Sequence, residues 1–89
     1  MSLLWEDDAW EEYLYWDSQD KKTKKKINAL IKDIQRNGAM KGIGKPEPLK
    51  YRPGYSRHID DANRLIYDIV DGNIWIVGCK GHYGDSTNK

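Results

Sequence analysis

The stretch between Asp20 and Gly38 constrains this chain most. Ile27, Leu30, Ile31 and Ile34 fall at i, i+3, i+4 and i+7, the spacing that lines one face of an α-helix. Asp20 supplies an N-cap carboxylate and Asn37-Gly38 a stop signal, so the spacing predicts a helix with defined ends. Lys21, Lys25, Lys32 and Arg36 share one arc opposite the apolar stripe, which makes the outer side of that helix basic. A helix with one apolar face needs a second layer to bury it.

The rest of the chain supplies that layer. Residues 2–5 read as a short strand, and Asp7 or Asp8 opens a first helix whose Trp10, Tyr13 and Leu14 form an apolar stripe that Trp16 widens. Glu11, Glu12 and Asp17 are expected outside, with the helix ending near Ser18. Residues 38–55 are glycine-rich, hold all three prolines and show no period, which predicts a long loop of the kind that carries function. Residues 55–59, 64–70 and 73–80 are rich in Ile, Val, Tyr and Trp, and Asp71-Gly72 is a two-residue hairpin signal. The expected fold is α+β: two N-terminal helices packed on one face of a mainly antiparallel sheet, the other face left free. At 89 residues there is one core, hence one domain.

Composition narrows the function. With 38% hydrophobic residues, four Trp and six Tyr, the chain carries enough apolar surface to fold rather than remain disordered. Its single cysteine, Cys79, cannot form an internal disulfide, and no apolar run reaches membrane-spanning length, so a cytoplasmic protein without membrane contact is expected. The net charge of +1 hides a segregation: residues 1–20 carry seven acids and no base, whereas residues 21–50 carry ten bases and two acids. Because screening makes potential a local property, the basic block can bind a polyanion, and nucleic acid becomes a candidate partner.

Candidate chemistry collects at one end of the expected sheet. Counting from the Asp71-Gly72 turn, Val70 pairs with Asn73 and Arg64 lies opposite Cys79, so His82 and Tyr83 emerge beside Arg64. Arg57 and His58, one short turn before Arg64, belong to the same end. Which of the two shares a face with Arg64 depends on a register that a one-residue slip would reverse, and the pattern leaves it open. Glu47 stands between Pro46 and Pro48, whose fixed φ angles make a stiff, extended stretch suited to presenting a general base. Lys45 and Lys50 flank it, favouring its ionised form and attracting phosphate. Cys79-x-x-His82 with His58 is an alternative metal-binding pattern, but one Cys and two His fall short of a zinc set; no metal and no cofactor are expected.

Several segments together carry a resemblance: Trp10-x-x-Tyr13-x-Tyr15-Trp16, Lys26-Ile27-Asn28, Leu30-Ile31-Lys32-Asp33, Gly44-Lys45-Pro46-Glu47-Pro48-Leu49-Lys50, Tyr55-Ser56-Arg57, Arg64-Leu65-Ile66-Tyr67 and His82-Tyr83. The pattern resembles the YoeB/Txe toxins of the RelE superfamily, from type II toxin-antitoxin systems, and runs almost end to end. The resemblance implies a RelE-like, microbial-ribonuclease-like domain over residues 1–83, followed by a short polar tail at 84–89. It implies a ribosome-dependent endoribonuclease that cuts messenger RNA in the ribosomal A site, a cognate YefM/Axe-like antitoxin, a homodimer, and contact with DNA only through the antitoxin complex. Carried across, Glu47 is the general base, Arg64 the phosphate clamp and His82 the general acid; Lys45, Lys50, Arg57, His58 and Tyr83 are substrate contacts. The chemistry needs no metal, since RNA brings its own 2′-hydroxyl nucleophile.

Two departures stand out. The family usually has Arg-Arg where this chain has Arg57-His58, so a permanent cation is replaced by one that titrates; His58 is read as a weakened substrate ligand, with a second proton carrier or a surface residue as alternatives. The chain also continues past His82-Tyr83. Two other functions remain in view, a noncatalytic RNA- or ribosome-binding module and a corepressor acting with its antitoxin.

Overall fold

The computed structural model describes residues 1–81, and it contains the helix that the Ile/Leu spacing predicts. This helix, α2 (Lys21–Asn37), is capped by Asp20, whose side chain accepts hydrogen bonds from the amides of Lys22 (3.1 Å) and Thr23 (3.3 Å) and from the Thr23 hydroxyl (2.9 Å). It ends at Gly38, which has φ +90° and donates its N–H to the Ile34 carbonyl, as a glycine C-cap does. Ile27, Leu30, Ile31 and Ile34 are buried, and Lys21, Lys25, Lys32 and Arg36 are exposed. The amphipathic reading of this segment holds at both faces.

The first helix, α1 (Asp7–Gln19), differs from expectation in the face it buries. Trp10 and Leu14 are 43% and 40% exposed, while Ala9 is fully buried and Tyr13 and Trp16 are half-buried. The cause is polar anchoring. The Trp16 indole N–H donates to the Cys79 carbonyl (2.9 Å), the Cys79 amide donates to Glu12 (2.8 Å), and the Tyr13 hydroxyl donates to Asn28 on α2 (2.8 Å). Glu12, expected outside, therefore faces the sheet, because it satisfies the Cys79 amide, which would otherwise be buried unpaired.

Five strands form the second layer: β1 (Leu3–Trp5), β2 (Glu47–Pro48), β3 (Tyr55–His58), β4 (Arg64–Val70) and β5 (Asn73–Gly78), in the order β1-β5-β4-β3-β2. β1 runs parallel to β5 and all other neighbours are antiparallel. The expected meander is β3-β4-β5; β1 and β2 extend it at either edge. β2 comes from the stretch read as a loop. Two residues flanked or occupied by proline give no periodic signal, and an edge position is where a strand tolerates a missing N–H.

The Asp71-Gly72 turn has φ +53° and +78° and sets Val70 opposite Asn73, the geometry of a tight hairpin. Pairing then slips by one: Tyr67 faces Ile76, but Ile66 faces Gly78, leaving Val77 as the extra residue of a bulge. Arg64 is consequently not opposite Cys79; its amide donates to the Gly81 carbonyl (3.0 Å). Leu65, Tyr67, Ile74, Ile76 and Cys79 pack with the helices in one core, with Leu3, Trp5, Tyr55 and Ile69 against it. No helix among the described residues is long and apolar enough to cross a membrane.

Candidate functional site

Side chains of directly paired residues project from the same side of a sheet, and neighbours along a strand alternate. Leu65 and Tyr67 face the helices, so Arg64 and Ile66 face the other way. The pairings Glu47 with Ser56, Ser56 with Ile66, and His58 with Arg64 then place all five on the face without helices, where Ser56 and Ile66 are buried, His58 and Arg64 half-buried and Glu47 exposed. This answers the question the sequence left open. His58 shares a face with Arg64, and Arg57, opposite Leu65, points to the helix side. It also ties Glu47 to the cluster by register. Two strand spacings and two residues separate Glu47 from Arg64, about 12 Å between Cα atoms, a gap two long side chains can span around a phosphate. Ser56 and Ile66 were not singled out in the sequence, although period-two alternation from His58 and Arg64 leads to them.

Arg64 is held by the turn before it. The Asp60 carboxylate accepts the amides of Ala62 and Asn63 (both 2.8 Å) and the Asn63 side chain. Burial pushes the Asp60 carboxyl up, but these hydrogen bonds outweigh it and hold the group below the usual carboxylate range. One terminal nitrogen of Arg64 donates to the carbonyls of Asp60 (2.7 Å), Asn63 (3.2 Å) and Asp61 (3.3 Å). Its other donors make no hydrogen bond among the described residues, and these three contacts orient the guanidinium. Gly81 is fastened at the same place, by its amide to the Asn63 side chain (2.7 Å) and by its carbonyl to the Arg64 amide. His82 and Tyr83, which follow it, lie outside the described residues.

Glu47 is exposed, as are Lys45 and Lys50 on either side of it. Lys45 has φ +52°, an uncommon value for a residue with a side chain. The stretch is closed against β3 by the His58 amide donating to the Gly44 carbonyl (2.7 Å) and the Leu49 amide donating to the Gly54 carbonyl (3.0 Å). The lysines of α2 do not join this group. They face outward from the helical layer, on the opposite side of the molecule, so of the two lysine sets only the loop pair lies beside Glu47.

Arg57, expected among the substrate contacts, is placed elsewhere. It is fully buried. Its Nε donates to the Tyr67 hydroxyl (2.9 Å), and its terminal nitrogens donate to Asp33 (2.5 Å) and to the carbonyls of Ile43 (3.0 Å), Gly38 (2.9 Å) and Lys41 (2.8 Å). All five N–H groups are taken, leaving none for a ligand. The Arg57 guanidinium in turn holds the Asp33 carboxyl below its ordinary range, against the opposing effect of burial. Cys79 is also on the helix side, its thiol near the Ala9 carbonyl and pushed up to about 12 by burial. A pattern of Cys79, His82 and His58 would need Cys79 and His58 to meet through the sheet, which their opposite faces forbid. Among the described residues no three His, Cys, Asp or Glu side chains are grouped to hold a metal ion.

Residues 5–83 match the sequence model of a family described as the YoeB-like toxin of bacterial type II toxin-antitoxin systems. Toxin YoeB of Escherichia coli K12 is 45% identical over 85 residues, covering 93% of this chain and all of the relative. Among solved structures, the heterotetrameric YoeB-YefM toxin-antitoxin complex from Staphylococcus aureus superposes with a TM-score of 0.87 at 47% identity, over 93% of this chain and 98% of that one. The YoeB dimer from the same organism gives the same values.

Proposed function

This chain belongs to the YoeB-like toxin family of bacterial type II toxin-antitoxin systems, and from that premise we propose that it is a ribosome-dependent endoribonuclease that cuts messenger RNA in the ribosomal A site and so stops translation. Glu47 takes the proton from the 2′-hydroxyl, whose oxygen attacks the adjacent phosphorus. Arg64 binds the phosphate as negative charge builds on its oxygens, and His82 protonates the departing 5′-oxygen. The products are a 2′,3′-cyclic phosphate and a 5′-hydroxyl. Lys45, Lys50, His58 and Tyr83 contact the substrate. No metal enters, because the base, the acid and the charge stabilisation all come from side chains.

The observation that carries this reading is that Glu47, His58 and Arg64 share the sheet face opposite the helices, with Gly81 fastened beside Arg64 and His82 its covalent neighbour. An exposed carboxylate flanked by exposed lysines, on the same sheet face as an arginine, suits an extended polyanion better than a small enclosed ligand. The Staphylococcus aureus relatives form a complex with YefM and a dimer; by analogy this chain pairs with a YefM-like antitoxin, self-associates, reaches DNA only through the antitoxin complex, and acts in the bacterial cytoplasm.

The test is cleavage of message on translating ribosomes with mapped RNA ends. Glu47→Ala and Arg64→Ala should each slow cutting about 10²- to 10⁴-fold with ribosome binding retained. Ribosome binding without any cutting by the unaltered protein would replace this reading with that of a noncatalytic binding module.

A further inference from the structure

We infer that Arg57, with Asp33 and Tyr67, is a positioning residue for Glu47, acting by clamping the segment that leads from α2 into β2. The inference rests on Glu47 being the base. A fully buried guanidinium is an expensive thing for a small core to hold unless every donor finds an acceptor, and here the acceptors are concentrated in one place. Three of them are the carbonyls of Gly38, Lys41 and Ile43. The fourth, Asp33, accepts the Ile43 amide as well (3.1 Å), and the fifth, the Tyr67 hydroxyl, donates to the Ala39 carbonyl (2.6 Å). Each partner of the cation is therefore either part of residues 38–43 or bonded to them. The fit is close: a Cβ on Gly42 would lie 1.7 Å from the Asp33 carboxylate, and Gly42 has φ +117°.

Glu47 needs such support because its own strand supplies little. β2 pairs with β3 at two positions only, and Pro46 and Pro48 have no N–H to give to a ladder. What precedes β2 is the clamped segment, ending at Gly44, whose carbonyl takes the His58 amide. Neighbouring residues of β3 thus have divided tasks: Arg57 fixes the loop from the helix side while His58 stands beside Arg64 on the open side. With Arg57 weakened, residues 38–44 gain freedom and the Glu47 carboxylate wanders relative to Arg64. A displacement of about 1 Å can cost up to about a hundredfold in rate.

The experiment is a double-mutant cycle in single-turnover cleavage of ribosome-bound message, using Tyr67→Phe and Arg57→Lys, each alone and combined with Glu47→Ala, with thermal melting to verify folding. Tyr67→Phe removes only the hydroxyl that links Arg57 to Ala39, so it carries the test if Arg57→Lys does not fold. Each variant should lower the maximal rate about ten- to a hundredfold, leave the ribosome concentration giving half-maximal rate within about twofold, and cause no further loss in the Glu47→Ala background. The same fold-loss in both backgrounds, a loss confined to half-saturation, or an unchanged rate would overturn the inference while leaving Glu47 as base. An unchanged rate for Glu47→Ala itself would overturn the base assignment, and this inference with it.

Discussion

The two faces of the sheet are made from the same strands and do opposite things with charge. On the helix side, Arg57 is buried and saturated by acceptors, opposite Leu65 and bonded to Tyr67. On the other side, Glu47 is exposed and Arg64 has donors that no described residue takes. Arg57 and His58 are adjacent in sequence, yet one stabilises the fold and the other stands in the candidate site. A charged residue type therefore says little about role until its face is known, because burial decides whether its hydrogen bonds go to protein or remain for a ligand.

Adjacent substitutions are the sharpest way to break this contrast. Arg57→Ala should cost about 3–5 kcal/mol in urea unfolding, since it strands the Asp33 carboxylate, while His58→Ala should stay within about 1 kcal/mol. Equal losses at the two positions would end the distinction between a structural and a functional cation.

A pH titration of stability sharpens it further. The Asp33 carboxyl is lowered in the folded protein, chiefly by its hydrogen bond from Arg57, so its contribution is complete above its unfolded value, about 3.9, and disappears as pH falls through the lower folded value. The stability difference between wild type and Asp33→Asn should accordingly be flat above about pH 5 and narrow below about pH 4. A difference that grew on acidification would contradict the ion pair. The smallest effect belongs to the helical layer at its edge: Asp20→Ala removes the cap of α2 and should cost about 1 kcal/mol, with cleavage unaffected, because that cap lies away from the open face. A matching loss of cleavage would show that the two faces are not separable.

Much of the fold was legible. Asp20, the Ile/Leu spacing and Gly38 gave α2 both ends and its buried side, and Asp71-Gly72 gave the hairpin and its first pair. The bulge at Val77 was not legible, since an extra residue accommodated between paired strands leaves no mark in a run of β-branched residues. α1 misled for a related reason: Glu12 and Trp16 are oriented by hydrogen bonds to Cys79, a partner 67 residues away from Glu12, and hydrophobic periodicity does not register polar anchors. In the candidate site, Glu47 and Arg64 were chosen from motif and resemblance, and Arg57 was grouped with them because its chemistry is that of a phosphate ligand.

Elements whose cause is local can be read from residue order alone: a capped amphipathic helix, a glycine turn between two strands, a stiff Pro-Glu-Pro stretch. That β2 joins the sheet edge, that Glu47 shares a face with His58 and Arg64, and that Arg57 turns inward to Asp33 and the loop carbonyls emerges when distant segments pair. The reason is physical. Strand alternation has a period of two, so each assignment of face hangs on a register, and register is set by pairing between segments far apart in the chain.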